Sequence, residues 1–379
     1  MTKTVVFSLI NCGASKGGVF QYALTFIEDF ISYSISDYKY IALIDDKLYS
    51  KFLPSSVEII EIEHIPANKR RISRIINILS NYGVIPKKLG RLNYHKLLID
   101  ISPDYLIALN QRPDLYYTSH KGISVIHDAP RCWNKYVRKI HPIGYTLQFD
   151  SECRRILSTP KSITLVESNQ VSKMLKSSSY IIQSLIIPLK FRVFHPNFAN
   201  PDLEFCNKVK SIGVYVYYPS TTHPVKNHKR LIDAIKIFND FSYNPLSLIL
   251  SGPKDTFTQE IVDYAKDKID LFHFGYVKEN EKYFLYKSSR GLVMPSLFNF
   301  GNIPILEAFH WGIPFLASNY NSIIESTCDQ GEYVNPKSID SIASGLYRLF
   351  RKKVNNDIAS DPLERKNEFQ NIFTLLEKL

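Results

Sequence analysis

The chain has 379 residues, which is more than one ordinary domain core holds, so we expect two domains. Its hydrophobic content of 45% and charged content of 22% are typical of a soluble globular protein, and no run of the roughly 18 apolar residues that a membrane helix needs is present. The net charge of +11 favours anionic partners, namely nucleotide phosphates, anionic lipid or nucleic acid.

Short apolar runs alternate with helical patterns in the first half of the chain. The predicted strands are 5–10, 40–44, 57–62, 105–109, 124–126 and 163–166. Helices are predicted at 19–31 and 170–176, and the alternation is typical of parallel βαβ units. The N-terminus lacks the length and cleavage site of a signal peptide, and the five cysteines have no metal or redox spacing. We therefore expect a cytoplasmic protein with reduced cysteines.

A second series of the same kind follows a segment rich in Pro, Asn and Asp at 196–206, which predicts a linker. The predicted strands are 211–217, 246–250, 272–274, 291–294 and 315–318, and the helices are 228–238, 279–288, 305–311, 338–350 and 362–379. We predict an α/β fold of two Rossmann-like, doubly wound domains, 1–198 and 199–360. The C-terminal helix, 361–379, is expected to pack back on the N-terminal domain. Ligands are expected in a cleft between the carboxyl ends of the strands.

The segment 294–318 reads as a strand end, a glycine-containing loop and a helix. Loop amides and a helix N-terminus suit a phosphate or a sugar hydroxyl, and Gly301 permits close backbone approach. Glu307 would offer a carboxylate to a ribose diol. The alternative is a loop whose glycine only makes the turn, followed by a solvent-facing glutamate.

This segment resembles the C-terminal signature of glycosyltransferase family 4. The matching residues are Pro295-Ser296, Phe300-Gly301-Asn302, Glu307-Ala308 and Gly312-Ile-Pro314. The resemblance implies a GT-B fold in which Glu307 holds the ribose and the amides of residues 300–303, Phe300 to Ile303, hold the sugar and diphosphate. The first glutamate of the signature falls on Asn299, an amide that accepts a hydrogen bond but carries no charge, so this departure concerns the donor sugar.

Four other motifs resemble the family in chain order. Gly17 and Gly18 match its glycine loop, and His127, at the end of a strand, matches an element that contacts the sugar. Lys226 matches a lysine that binds the diphosphate, and Val277 matches a strand end whose backbone meets the base. Alone, these residues also fit a turn, a histidine satisfied by Asp128, a solvated lysine and an ordinary βα turn.

Two further matches are incomplete. The arginine expected five or six residues before Lys226 is replaced by Ser220 or Thr221, with His223 close by. Glu167-Ser-Asn169 resembles the family's serine element, and the sequence predicts no role for it.

A basic stretch spans residues 69–96. It contains eight Lys or Arg, interleaved with aliphatic residues, and no Asp or Glu. Such a stretch fits an anionic membrane surface, or a helix that packs its apolar side on the core and leaves its basic side solvated. Nucleic acid is disfavoured because no reading motif is present.

The resemblance implies a retaining glycosyltransferase that moves a hexose or deoxyhexose from a nucleotide-sugar donor to a glycan or lipid-linked acceptor in surface polysaccharide or lipopolysaccharide synthesis. His127, Asn299 and Glu307 are the expected catalytic residues, and no metal or other cofactor is expected. The expected location is the cytoplasm or the inner face of the cell membrane. The alternatives are a GT-B sugar-nucleotide epimerase and a non-catalytic nucleotide- or sugar-binding relative.

Overall fold

The computed structural model describes residues 2–10, 18–34, 36–62, 67–90, 92–132, 143–193, 199–298, 302–352 and 362–379. The chain divides into two compact units. The first comprises Met1–Arg192 and Asp361–Leu379, and the second comprises Val193–Ser360. The units therefore meet in sequence at Arg192, whereas the predicted boundary after residue 198 borders residues 194–198, which lie outside the described residues.

A parallel sheet forms the centre of the first unit. Its strands are β1 (Lys3–Leu9), β2 (Tyr38–Ile44), β3 (Val57–Glu61), β4 (Tyr105–Ala108), β5 (Gly122–Val125), β6 (Ser162–Val166) and β7 (Leu185–Pro188). They lie in the order β3-β2-β1-β4-β5-β6-β7. Strands β2 and β3 thus extend the sheet on one side of β1 and strands β4 to β7 on the other, so the strand order reverses between the neighbours β1 and β4. Helices cover both faces of such sheets, so the side chains on both faces of each strand are buried. The strands are therefore continuous apolar runs.

Helices connect these strands. They are α1 (Gly18–Ser32), α2 (Ala67–Asn81), α3 (Asn93–Ile101), α4 (Asp114–Thr118), α5 (Ile143–Leu157) and α6 (Asn169–Lys176). Strand β5 approaches β4 so closely that a Cβ at Gly122 would lie 1.8 Å from the carbonyl oxygen of Leu106. The backbone of Gly122 has φ +152°, which also favours glycine there.

The second unit contains another parallel sheet, in the order β10-β9-β8-β11-β12-β13. Its strands are β8 (Tyr215–Pro219), β9 (Ser247–Ser251), β10 (Leu271–His273), β11 (Leu292–Met294), β12 (Phe315–Ser318) and β13 (Glu332–Val334). Its helices are α7 (Leu203–Ser211), α8 (His228–Asp240), α9 (Thr258–Ala265), α10 (Glu279–Ser288), α11 (Ile303–His310), α12 (Asn321–Ser326) and α13 (Ile339–Arg351). Both units thus have the predicted doubly wound α/β architecture.

The predicted linker at 196–206 is wrong in its second part. Helix α7 begins at Leu203 because the side chain of Asp202 accepts a hydrogen bond from the backbone N–H of Phe205, 2.8 Å away. Such an N-cap satisfies a backbone donor that the first turn leaves free. The strand predicted at 211–217 consequently begins only at Tyr215.

The C-terminal helix, α14 (Pro362–Lys378), belongs to the first unit. Arg365 Nε lies 2.8 Å from Asp29 Oδ2 in α1, and both side chains are more than nine-tenths buried. Aromatic rings continue the contact, since Phe369 packs on Phe26 and Phe373 packs on Phe30. Among the helices of the described residues, none is long and apolar enough to cross a membrane.

We expect Arg365→Ala to lower the free energy of unfolding of the first unit by about 3 kcal/mol, because removing one partner of a buried ion pair leaves the other charge undercompensated. Asp29 keeps a second partner in Arg192, at 2.9 Å, which limits the loss. Urea unfolding measures the change. Lys366→Ala, at an exposed position of the same helix, is the control, and equal effects of both substitutions would contradict the assignment.

Candidate functional site

The loop that carries Lys226 is fixed at the carboxyl edge of the second sheet. Lys226 ends a short 3₁₀ helix, Pro224–Lys226, that leads from β8 into α8. The next residue, Asn227, has a left-handed backbone with φ +65°, and its Nδ2 donates to the carbonyl oxygens of Pro295 and Pro336 at 2.9 and 2.7 Å. These bonds connect the Lys226 loop to the loops that follow β11 and β13.

A backbone hydrogen bond also joins the Lys226 loop to the loop that follows β11. The backbone N–H of Leu297 donates to the carbonyl oxygen of Val225, at 2.8 Å. Leu297 lies in the loop between β11 and α11, which is the predicted sugar and diphosphate loop. The chain therefore places Lys226 beside the segment that leads to the N-terminus of α11.

The N-terminus of α11 contains two of the predicted donor-binding residues. Asn302 is its N-cap and is buried, and Ile303 is its first residue. An N-terminus of this kind presents free backbone N–H groups and a partial positive charge. Gly17, Asn299, Phe300 and Gly301 lie outside the described residues, and Gly18 is the first residue of α1.

Glu307 is buried on α11, so the alternative of a solvent-facing glutamate is wrong. Its Oε1 lies 2.8 Å from Lys282 Nζ and its Oε2 accepts a hydrogen bond from the hydroxyl of Tyr286 at 2.9 Å. Burial lowers the pKa of Lys282, but Glu307 and Glu279 outweigh it and raise that pKa above its usual value. Because each carboxylate oxygen has a second lone-pair site, the paired Glu307 can still accept ribose hydroxyls. Ribose binding stays a prediction.

Val277 lies between β10 and α10 and is buried. The turn before it is tight, since Gly275 has φ +67° and its carbonyl oxygen accepts a hydrogen bond from Gly252 N at 2.8 Å. This bond joins the loops that follow β9 and β10. The predicted contact of the Val277 backbone with a base remains a prediction.

Three histidines, His223, His228 and His273, lie in a loop, at a helix start and at a strand end at this edge of the second sheet, where the family has an arginine. Burial lowers the pKa of His223 and of His273, so both side chains are mainly neutral near pH 7. His228, the first residue of α8, is fully buried and stacks on Tyr218 with ring centroids 4.7 Å apart. Within the described part of the chain, neither ring nitrogen of His228 has a hydrogen-bond partner. The missing arginine charge is not replaced by these histidines.

In the first unit, His127 follows β5 and contacts residues from three other elements. Its Nε2 lies 3.1 Å from the carbonyl oxygen of Leu109, and its Nδ1 lies 3.9 Å from Glu167 Oε1. The rings of Tyr22 and His127 pack nearly at right angles with centroids 5.2 Å apart. The carboxylate of the neighbouring Asp128 accepts the N–H of Ala129 at its Oδ1.

Sequence reasoning missed two amide residues at the end of β4. Gln111 Oε1 accepts the backbone N–H groups of His127 and Asp128, at 2.8 and 2.7 Å, and so fixes the loop after β5. Asn110 is buried, and its side-chain amide has no hydrogen-bond partner among the described residues. The signal in the sequence was the pair Asn110-Gln111 directly after an apolar strand.

Comparison with known proteins identifies the second unit. Residues 207–361 match the profile of the family described as glycosyl transferases group 1. This match assigns a group 1 glycosyltransferase domain to that segment, which is 155 of the 379 residues. The O-antigen chain mannosyltransferase B of Escherichia coli is 28% identical over 149 residues, which are 38% of this chain and 39% of that protein. The chain therefore matches about two-fifths of that relative's length.

Solved structures extend the likeness to the whole chain. The glycosyltransferase WaaG, described as involved in lipopolysaccharide biosynthesis, matches with a TM-score of 0.65 and 13% identity over 99% of this chain and 95% of WaaG. The Anabaena protein HepE, in complex with UDP and glucose, matches with a TM-score of 0.60 and 13% identity over 99% and 95% of the two chains. The predicted GT-B fold is confirmed, and the group 1 domain is its second unit.

We expect His228→Phe to make the group 1 domain less sensitive to acid. Burial, with Lys226 and His273, lowers the pKa of His228 to about 3, whereas an unfolded histidine titrates near about 6.5. Below pH 6.5 the unfolded chain therefore binds one more proton, and folding loses about 1.4 kcal/mol per pH unit. Between pH 7 and pH 5, the wild type should lose about 2 kcal/mol more than the variant.

Urea unfolding of both proteins at pH 7 and pH 5 measures this difference. Phenylalanine keeps a ring against Tyr218 while it removes the titrating group. Parallel losses of stability in the two proteins would show that His228 is protonated, or solvated, in the folded domain.

Proposed function

We propose that this protein is a retaining glycosyltransferase that moves a hexosyl or deoxyhexosyl group from a nucleotide-sugar donor to a glycan or lipid-linked acceptor of a surface polysaccharide. One observation carries the proposal. The Lys226 loop is bonded to the loop that leads into α11, so a lysine, a helix N-terminus and the buried Glu307 lie along one edge of a group 1 glycosyltransferase domain.

The chemistry of this edge suits the departure of a diphosphate. Negative charge builds on the phosphate oxygen as the bond to the anomeric carbon breaks, and fixed positive groups stabilise it. Lys226 would supply a full charge and the N–H groups at the start of α11 a partial one. The acceptor hydroxyl oxygen would attack the anomeric carbon from the face that the phosphate leaves and would give its proton to the departing phosphate oxygen, so that the configuration is retained. We propose that these groups act without a metal ion.

The relatives suggest the sugar class and the pathway. The E. coli relative is named as a mannosyltransferase of an O-antigen chain, and HepE was solved with UDP and glucose. WaaG is described as acting in lipopolysaccharide biosynthesis. We therefore propose a hexose donor, with mannose and glucose the first to test, and an acceptor at the cytoplasmic face of the membrane.

The proposal is tested by incubating the protein with UDP-, GDP- and dTDP-hexoses and candidate acceptors and measuring both the released nucleotide and the glycosylated product. Nucleotide release with product formation supports a transferase. Tight binding of a nucleotide sugar without either product would favour the non-catalytic relative, and interconversion of the donor sugar would favour the epimerase.

We expect Glu307→Gln to weaken nucleotide binding by tenfold or more, because hydrogen bonds to a charged group contribute about 1.5–3 kcal/mol. Titration calorimetry with the preferred nucleotide measures the affinity. Glutamine is isosteric, so the side chain still fills its buried place beside Tyr286.

Glu279→Gln is the matched control. Glu279 Oε2 also lies 2.8 Å from Lys282 Nζ, but this carboxylate is 41% exposed. The control therefore removes one negative partner of the same lysine without removing the proposed ribose ligand. Equal losses of affinity in the two variants would assign the effect to Lys282 and would remove Glu307 from the ribose site.

We further propose that the first unit binds an anionic membrane through α2 and the segment after it. Ile72, Ile75 and Leu79 lie at helical spacing on α2 and are 64%, 52% and 37% exposed. The interpretation in which the apolar side of this segment packs on the core therefore fails at these positions. Arg74 and Lys88 are also exposed and would supply the attraction to anionic lipid.

We expect the protein to co-sediment with vesicles that contain anionic lipid more than with neutral vesicles. Ile72→Ser, Ile75→Ser and Leu79→Ser together should abolish that binding, and Arg74→Gln with Lys88→Gln should weaken it. Phe241→Ser with Tyr243→Ser removes exposed aromatic rings of the second unit and is the control. Binding that is independent of lipid charge, or unaffected by the α2 substitutions, would refute the proposed surface.

A further inference from the structure

Two polar side chains lie next to each other where β5 and β6 end. The register pairs Val125 with Leu165, so the residues two positions later, His127 and Glu167, come side by side just beyond the strands. In a parallel sheet of this kind the carboxyl edge is where ligands bind. Both side chains are mostly buried, with 16% and 14% of their surface exposed.

The ring of His127 is held in one orientation. A carbonyl oxygen only accepts hydrogen bonds, so the Nε2 that lies 3.1 Å from Leu109 O carries a proton and donates it. Tyr22 packs nearly at right angles to the ring, and Gln111 Oε1 accepts the backbone N–H of His127. The remaining nitrogen, Nδ1, therefore stays directed at Glu167.

The gap between the two side chains is too wide for a direct hydrogen bond. Nδ1 and Oε1 are 3.9 Å apart, beyond the distance at which nitrogen and oxygen form one. The other carboxylate oxygen, Oε2, is buried and accepts no hydrogen bond from the described residues. Burial raises the pKa of Glu167, and His127 lowers it in part.

We propose that His127 and Glu167 bind one carbohydrate hydroxyl group between them. A hydroxyl oxygen about 2.8 Å from each atom fits this gap, because two atoms 3.9 Å apart then subtend roughly a right angle at that oxygen. Of Nδ1 and Oε1, one carries a proton and donates it to the hydroxyl oxygen, and the other accepts the hydroxyl hydrogen. This assignment rests on the proposed glycosyltransferase function and adds Glu167 to it as a residue that determines specificity.

The pair would make the enzyme dependent on that hydroxyl. A site built to hydrogen-bond a substrate hydroxyl strongly disfavours the analogue that lacks it, because its polar groups are then left without partners. An aliphatic pocket discriminates far less. The hydroxyl belongs either to the transferred sugar or to the acceptor, and the same chemistry serves both.

The test compares wild type with Glu167→Gln on the natural donor and acceptor and on their monodeoxy analogues. Glutamine keeps the shape of the side chain but replaces a carboxylate by an amide, which is a weaker acceptor. We expect kcat/KM for the natural substrates to fall tenfold or more. The difference between the two proteins should vanish for the one analogue that lacks the bound hydroxyl, and whether this is a donor or an acceptor analogue identifies its source.

Two controls separate binding from folding. Glu28→Gln changes a carboxylate on α1 of the same unit, which pairs with Arg192 and is 39% exposed, and it should leave kcat/KM unchanged. Thermal unfolding of Glu167→Gln and of Glu167→Asp shows whether the fold is retained. Glu167→Asp keeps the carboxylate, so it should retain part of the selectivity against the deoxy analogue.

The results distinguish this assignment from the proposed function. If wild type is active and Glu167→Gln is equally active, the hydroxyl site is overturned and the proposed function stands. The same holds if Glu167→Gln lowers kcat/KM by the same factor for every analogue. If wild type transfers no sugar, the affinities for UDP and GDP are compared with those for UDP-glucose and GDP-mannose, and the acceptor glycan is titrated as well. The site is supported if wild type binds the nucleotide sugar more tightly than the nucleotide, or binds the acceptor glycan, and Glu167→Gln removes that affinity. If wild type shows no such affinity for a sugar, the site is overturned.

Discussion

The side-chain amide of Asn227 is the interaction on which the loops at the carboxyl edge of the second sheet depend. It donates to Pro295 O and Pro336 O, and Arg230 Nη1 in turn donates to its Oδ1 at 2.9 Å. Three loops from β8, β11 and β13 are thus joined at one side chain. The left-handed backbone of Asn227 lets α8 begin at once after Lys226, and asparagine tolerates that conformation better than most residues do. Together with the bond from Leu297 N to Val225 O, this junction ties the Lys226 loop to the segment that leads to α11.

The Glu307–Lys282 pair shows how a carboxylate that is proposed to bind a ligand can also be part of the core. Isolated buried charges are costly, so a glutamate at this place needs a cation and a hydroxyl donor. Lys282 and Tyr286 come from consecutive turns of α10, one helix away in sequence. The family signature therefore contains a residue, Glu307, that must also be paired in the folded protein. The comparison with Glu279 separates its ion pair with Lys282 from the proposed binding of ribose.

The fold was predictable because it follows from local patterns. Apolar runs separated by helical periods predicted both sheets, and the motifs that resemble glycosyltransferase family 4 predicted the GT-B fold. Helix α7 was missed because proline and asparagine around residue 200 outweighed the Asp202 cap. The proposed role of Glu167 was not predictable, since it depends on a neighbour 40 positions earlier in the chain and on a distance between side chains. Gln111 was missed for the same reason, because its hydrogen-bond partners are backbone N–H groups of the loop after β5.

Hydrogen-bond satisfaction separates structural polar groups from candidate ligand groups in the first unit. Asp114 is as buried as any residue, yet Ser8, Tyr94 and His95 all lie within hydrogen-bond distance of its carboxylate, and its pKa is lowered. Glu167 has a raised pKa and, within the described residues, an oxygen without a partner. Lack of a partner alone does not indicate a site, because Ser80 Oγ also has none and lies on α2, away from the strand ends. A buried carboxylate, a histidine fixed opposite it and a position at the carboxyl edge of a parallel sheet together fit a hydroxyl-binding site, because a hydroxyl between Nδ1 and Oε1 bridges two polar atoms that lie too far apart to bond each other.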